Sequence, residues 1–336
     1  MKNIYFLFLM IVVVGMSEKT FAQSRWIGIM PMEFNPSFAG NTGGHRIVAL
    51  GGYEHSGGRA KQTSPNSSIG FMKLNSPLAS ISYDNFIPKI GSGIGFYMSS
   101  RKYSSGSRED ENTYTSFDAF KAGLIISPKI SIRGKYTIAP SIGLNYKKLR
   151  YDYQPSELLI DFDSLNYKPE HYKSDIFYLT AGLLFNTENF YIGYAHYLPT
   201  FNGARQKNSF YEERYISHNK HNYYYLDKQY GIIQAGYKFQ KSKDSKTSYL
   251  LQKMIWTNRK LDLITLFISN LSFVFKYRKV LLGISTTDHF LAGVGFQTSK
   301  IKIFYSQNLD YINYQYSGEL SCRVLIPNKK RTFYQF

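Results

Sequence analysis

The chain has 336 residues, a net charge of +18, 43% hydrophobic and 19% charged residues, and an aromatic share of 17% carried by 30 Tyr and 25 Phe against 2 Trp. A single cysteine, Cys322, excludes an intrachain disulfide, so stability must come from burial and backbone pairing. Tyrosine at this level suits a surface half in lipid and half in headgroups, and the basic excess calls for an anionic neighbour.

Residues 1–22 set the compartment. Lys2 is followed by an apolar run from Ile4 to Val14 and then by Thr20-Phe21-Ala22, a small-residue cleavage site, which together read as a secretory signal peptide. The run is 11 residues long, too short for a membrane helix, and no later stretch approaches the roughly 18 apolar residues that one requires. The mature chain is expected to begin at Gln23; removal of Lys2, Lys19 and Glu18 leaves 39 basic and 22 acidic residues, net +17. No cysteine follows the cleavage site at once, which argues against a lipoprotein anchor. In an exported chain nucleic acid is excluded as the anionic partner. Outer-membrane lipid, lipopolysaccharide and acidic segments of a protein remain.

Residues 23–45 read as a lead or plug segment. Phe34 and Phe38 need burial, while Pro36 stops the stretch from pairing in the centre of a sheet. Phe34 to Gly40 is therefore expected to enter or underlie whatever follows. From Arg46 to residue 326 the dominant signal is period two in segments of about ten, the pattern of a transmembrane antiparallel β-barrel. Its clearest stretch is Tyr136 to Lys148, where Tyr136, Ile138, Pro140, Ile142, Leu144 and Tyr146 share one face and Thr137, Ala139, Ser141, Gly143, Asn145 and Lys147 share the other. Small residues opposite the apolar face, such as Gly93 and Gly95 or Gly293 and Gly295, suit a crowded barrel interior better than the solvated face of a sandwich. Strands fall near 46–54, 79–86, 92–100, 115–126, 136–150, 175–186, 190–198, 228–240, 247–257, 261–275, 280–286, 289–298, 300–308 and 316–326, fourteen in all. The pair 247–257 and 261–275 is the least patterned, being apolar on both faces. Connections at 55–78, 101–114, 151–174 and 199–227 are long and those at 87–91, 187–189 and 241–246 short, which puts the short turns and both termini in the periplasm. A basic tail, 327–336, follows.

Catalytic and metal chemistry find little support. His218 and His221 are three apart without a helical pattern to align them. Glu109, Asp110 and Glu111, and the pair Asp161 and Asp163, read as solvated loop faces. There is no G-x-S-x-G elbow, and Gly91, Gly93 and Gly95 lack the strand-to-helix context of a phosphate loop. A non-enzymatic chain without cofactor or metal is expected. The segment Pro199 to Asp227 interleaves aromatics with Arg and Lys, the residue types that dominate protein interfaces, and nominates Phe210, Tyr211, Arg214 and Tyr215 as a candidate partner-binding loop.

Phe34-Asn35-Pro36-Ser37-Phe38-Ala39-Gly40-Asn41-Thr42-Gly43 resembles the N-terminal signature of the PorP/SprF family, which belongs to the type IX secretion and gliding machinery of Bacteroidetes. Further matches follow in order: the first strand at Arg46 to Glu54, then Ser80-Ile81-Ser82-Tyr83-Asp84, then Gly91-Ser92-Gly93-Ile94-Gly95-Phe96. Gly318-Glu319-Leu320-Ser321 is similar to the family's final strand, although no histidine precedes Glu319. The resemblance implies an outer-membrane barrel that, with other type IX secretion components, helps a cognate secreted protein reach and attach to the cell surface. That partner would be an adhesin-like protein with a C-terminal sorting domain, and Phe34, Asn35, Pro36, Phe38, Ala39 and Gly40 would be the motif residues. The competing reading of the same pattern is a transporter or porin for small molecules.

Overall fold

The computed structural model describes residues 30–59, 71–107, 114–154, 170–201, 230–240, 242, 245–256, 271–286, 290–308 and 315–326. The signal peptide, the loop residues Phe210, Tyr211, Arg214 and Tyr215, the histidines 218 and 221, the acidic residues 109–111, 161 and 163, and the tail lie outside them.

One helical turn, α1 (Pro31–Phe34), and a 3-10 turn (Pro36–Phe38) precede fifteen strand segments. In chain order these are β1 (His45–Arg59), β2 (Phe71–Ile87), β3 (Ser92–Ser107), β4 (Tyr114–Pro128), β5 (Ile130–Ile132), β6 (Tyr136–Gln154), β7 (Glu170–Asn186) and β8 (Phe190–Phe201). The second half comprises β9 (Tyr230–Phe239), β10 (Thr247–Trp256), β11 (Leu271–Tyr277), β12 (Val280–Thr286), β13 (Phe290–Gln297), β14 (Ile301–Asn308) and β15 (Gln315–Ile326). Apart from β4 and β5, which both pair with β6, neighbours in the chain pair antiparallel, and β1 pairs with β15 from His45 opposite Ile326 to Ser56 opposite Gln315, which closes the sheet.

The segments β4 and β5 form one stave, because Ile126 faces Ile142 and Ile130 faces Ile138 in unbroken register. That register sets Pro128 against Pro140 at the interruption, and neither proline has an N–H to give the ladder. Fourteen staves result, as the sequence predicts.

The two faces follow the predicted alternation. On β6, Ile142 and Leu144 are 60% and 51% exposed on the outer face, while Thr137 and Asn145 are 2% and 3% exposed inside. Tyr136 stacks on Phe185 at the short-turn end, and Tyr146 packs against Phe177 and Phe120 ten residues further along β6. Ten residues are about 33 Å of strand, or about 23 Å of bilayer at a 45° tilt, close to the height of the apolar band of such barrels.

Several strands outrun their predicted ends. The connection expected at 55–78 shrinks because β1 continues to Arg59 and β2 starts at Phe71, and those at 101–114 and 151–174 shrink likewise; at 199–227, β8 runs on to Phe201 while β9 starts at Tyr230, two residues later than expected. Backbone pairing needs no apolar side chain, and above the lipid the outer face turns polar: Lys102 faces Asp118, Asp118 faces Arg150, and Arg150 faces Lys173. The alternation that marks a strand in sequence ends there while the ladder continues.

Candidate functional site

Residues 30–44 fold back into the lumen at the short-turn end. Asn35 is extended, with φ −146° and ψ 112°, and its Oδ1 accepts the Ser37 N–H at 2.9 Å. Pro36 at the next position has a φ already suited to a helical turn and no N–H left to satisfy. The Phe38 and Ala39 N–H groups then donate to the carbonyls of Asn35 and Pro36 at 3.2 and 3.0 Å. The turn ends at Gly40, whose φ of +68° few other residues adopt. Asn-Pro-Ser-Phe-Ala-Gly thus encodes a compact knot: a cap, a starter, a turn and a left-handed exit.

A buried ion pair anchors the knot. Arg46 of β1 and Asp84 of β2 are cross-strand partners, with Arg46 Nε donating to Asp84 Oδ1 at 2.7 Å. The second carboxylate oxygen accepts the Gly40 N–H at 2.7 Å, and Arg46 Nη2 donates to the Phe38 carbonyl at 3.1 Å. Two inward charges from the wall therefore saturate each other and two backbone groups of the plug, which satisfies what burial demands of charged groups.

Other staves contribute further polar contacts. Ser141 Oγ of β6 meets Ser37 Oγ at 2.8 Å, Lys129 Nζ donates to the Ser37 carbonyl at 2.6 Å, and Asn186 Nδ2 donates to Asn41 Oδ1 at 2.8 Å. The Tyr197 hydroxyl of β8 reaches the carbonyls of Glu33 and Phe34 at 2.8 and 3.0 Å, and Lys121 pairs with Glu33 at 3.7 Å.

Apolar packing completes the seat in three groups. Met30 lies among Val48, Leu50, Val274, Leu281, Leu291 and Phe304. Met32, Phe38 and Ala39 pack with Tyr97, Ile125, Ala139, Leu184 and Tyr191, the Phe38 ring meeting Tyr191 edge-on at 5.4 Å. Phe34 packs with Ala195, Tyr197, Ile232 and Met254. Each such side chain taken wholly out of water contributes about 1.5–3 kcal/mol.

The inward glycines are the floor under this segment. A Cβ at Gly93 would run into the Ala39 carbonyl, one at Gly95 would lie 2.8 Å from Met32 Sδ, and one at Gly193 would lie 2.6 Å from Asn35 Nδ2. Gly293 and Gly295 are also inward, but there the Phe304 ring of β14 covers them.

The structure brings all six motif residues, Phe34, Asn35, Pro36, Phe38, Ala39 and Gly40, into one buried knot. Its wall contacts include Asp84, Gly93 and Gly95 from two other quoted segments. Glu319 is buried on the inner face of β15. Sequence reasoning did not single out Arg46 as Asp84's partner, nor Lys129, Asn186 or Tyr197. Only the hairpin register of β1 and β2 would have paired the first two. Among the described residues no three His, Cys, Asp or Glu side chains gather to hold a metal, and Asp84 and Glu33 hold the plug in place.

No protein-family model matches the chain, and no curated protein matches it. Among solved structures it is similar to the toluene transporter TbuX of Ralstonia pickettii, with a TM-score of 0.50 and 10% identity over 89% of this chain and 94% of that one. A Pseudomonas aeruginosa FadL homologue gives 0.48 and 11% over 92% and 99%. The translocator domain of the autotransporter NalP from Neisseria meningitidis gives 0.33 and 9% over 84% and 88%. The likeness to TbuX, at 10% identity, speaks to fold alone. With the closed sheet and the lipid-facing exterior, it makes this chain an outer-membrane β-barrel.

Proposed function

We propose that this barrel is of the PorP/SprF type and serves type IX secretion and gliding motility in a Bacteroidetes-like outer membrane. It assists export and surface attachment of a cognate adhesin-like protein with a C-terminal sorting domain, alongside other type IX secretion components. It is a non-catalytic role needing no cofactor. One observation carries the reading: the separate segments that resemble the family, Phe34 to Gly40, Ser80 to Asp84 and Gly91 to Phe96, come together at one buried place inside the barrel. A barrel that seats its own lead segment inside its wall suits holding a partner better than passive diffusion.

The test is co-purification. Tagged barrel, extracted from a Bacteroidetes host that lacks its own copy, is expected to bring down a surface protein with a C-terminal sorting domain, and cells lacking the barrel are expected to lose that protein from their surface. Normal surface display without the barrel would overturn the reading. The rival, small-molecule transport, is favoured by one observation: among the described residues the plug is held to the wall by side-chain bonds and packing and by no strand pairing, so its release would leave the ladder intact. Solute-dependent flux through purified barrel in liposomes, with surface display unaffected, would establish that reading instead.

A further inference from the structure

Between the plug and the short turns, the inner wall of β9 to β15 is basic. Lys238 of β9, Lys276 of β11, Lys302 of β14 and Arg323 of β15 alternate with outward apolar neighbours such as Tyr237, Tyr277, Ile301 and Ile303, so they point into the lumen, where all four are half-buried. Lys302 and Arg323 are direct cross-strand partners. Lys276 lies close enough to repel Lys302, and Lys238 and Arg323 repel Lys276 in turn. Like charges set opposite one another on a sheet destabilise it, so this arrangement costs the barrel stability. Carboxylates that face the group from described elements include Glu188, near Lys238, and Asp84, near Arg323. Asp84 already serves Arg46 and Gly40.

We infer that this wall is a docking surface for an acidic segment of a polypeptide entering from the periplasm. Three features select that occupant. The charges face inward, out of reach of lipid headgroups around the barrel. They lie at the short-turn end, which opens to the periplasm. They also extend over six inter-strand steps of about 4.8 Å, about 29 Å of wall, several times the width of one carboxylate or phosphate. A segment carrying several Asp or Glu residues spans that arc; a small anion meets one or two cations of it. The inference does not depend on which protein is exported.

The experiment uses the full-length barrel in detergent and a fluorescent peptide of ten glutamates as probe, read by anisotropy. Wild type is expected to bind it, with affinity falling steeply as salt rises. The triple variant Lys276→Gln, Lys302→Gln, Arg323→Gln is expected to bind at least about tenfold more weakly. The double variant Lys89→Gln, Lys135→Gln, which removes exposed turn lysines from the same end, is expected to match wild type. A measurement on the wild type covers the chance that the triple variant fails to assemble: the peptide is expected to shield Lys276 and Lys302 from acetylation, read by mass spectrometry. Equal binding by the triple variant, or no shielding, overturns the proposal. Shielding by inorganic phosphate as complete as by the peptide at equal charge also overturns it, in favour of a small-anion site.

Discussion

Gly93 shows how much of the site rests on missing atoms. Its Cα lies against the plug backbone, and a methyl group there would run into the Ala39 carbonyl and the Gly40 Cα. Gly51, on the outer face of β1, has nothing within 4 Å of its would-be Cβ. Gly93→Ala is therefore expected to unseat residues 38–40 at an overpacking cost of about 1–3 kcal/mol, while Gly51→Ala changes little. The measure is urea unfolding of the refolded barrel together with protease access to the lead segment. Identical behaviour of the two variants would mean the plug does not bear on Gly93. The alternation of Gly93 and Gly95 with Ile94 and Phe96 was legible in the sequence as an inward face. What those glycines made room for was not, because the plug's contacts come from strands far apart in the chain that only sheet pairing brings around it.

Among the elements, β6 was the most legible and β11 the least, for one reason. Where the lumen wall is small or polar, as at Thr137, Ser141 and Asn145, the two faces of a strand differ in composition and period two stands out. Where the wall is apolar, as at Val274 and Leu281 around Met30, both faces look alike and only the register separates them. Placing Ile142 outward and Ser141 inward gives two substitutions with different consequences. Ile142→Arg puts a charge on the lipid face near mid-membrane and is expected to cost folding about 2–4 kcal/mol, seen as a lowered urea midpoint. Ser141→Arg meets no lipid, but Ser141 touches Ser37 and lies 2.5 Å from a would-be Cβ at Gly182, so the lumen has no room for the longer side chain. It is expected to keep the barrel inserted and expose the lead segment to protease. Loss of insertion with Ser141→Arg but not with Ile142→Arg would reverse the faces of the strand.

At the scale of the molecule, the number of staves and the direction of the chain were readable from segment count and connection length. The interruption between β4 and β5 was not, since it arises from two prolines twelve positions apart that meet only once β4 and β6 are paired. Deleting residues 32–40 removes Phe34, Phe38 and the partners of Arg46 and Asp84 together. It is expected to lower the yield of heat-modifiable barrel in the outer membrane; undiminished yield would show that the wall assembles without its plug. The position of the seat also bears on the order of assembly. Nearly all of its polar contacts, from Arg46 to Tyr197, belong to the first eight strand segments, whereas the seam between β1 and β15 joins the two ends of the sheet and waits for the last residues of the ring. Closing so long a loop is slow. The lead segment can therefore settle onto a half-built wall and keep its inner apolar groups from water and from other chains until the far edge arrives.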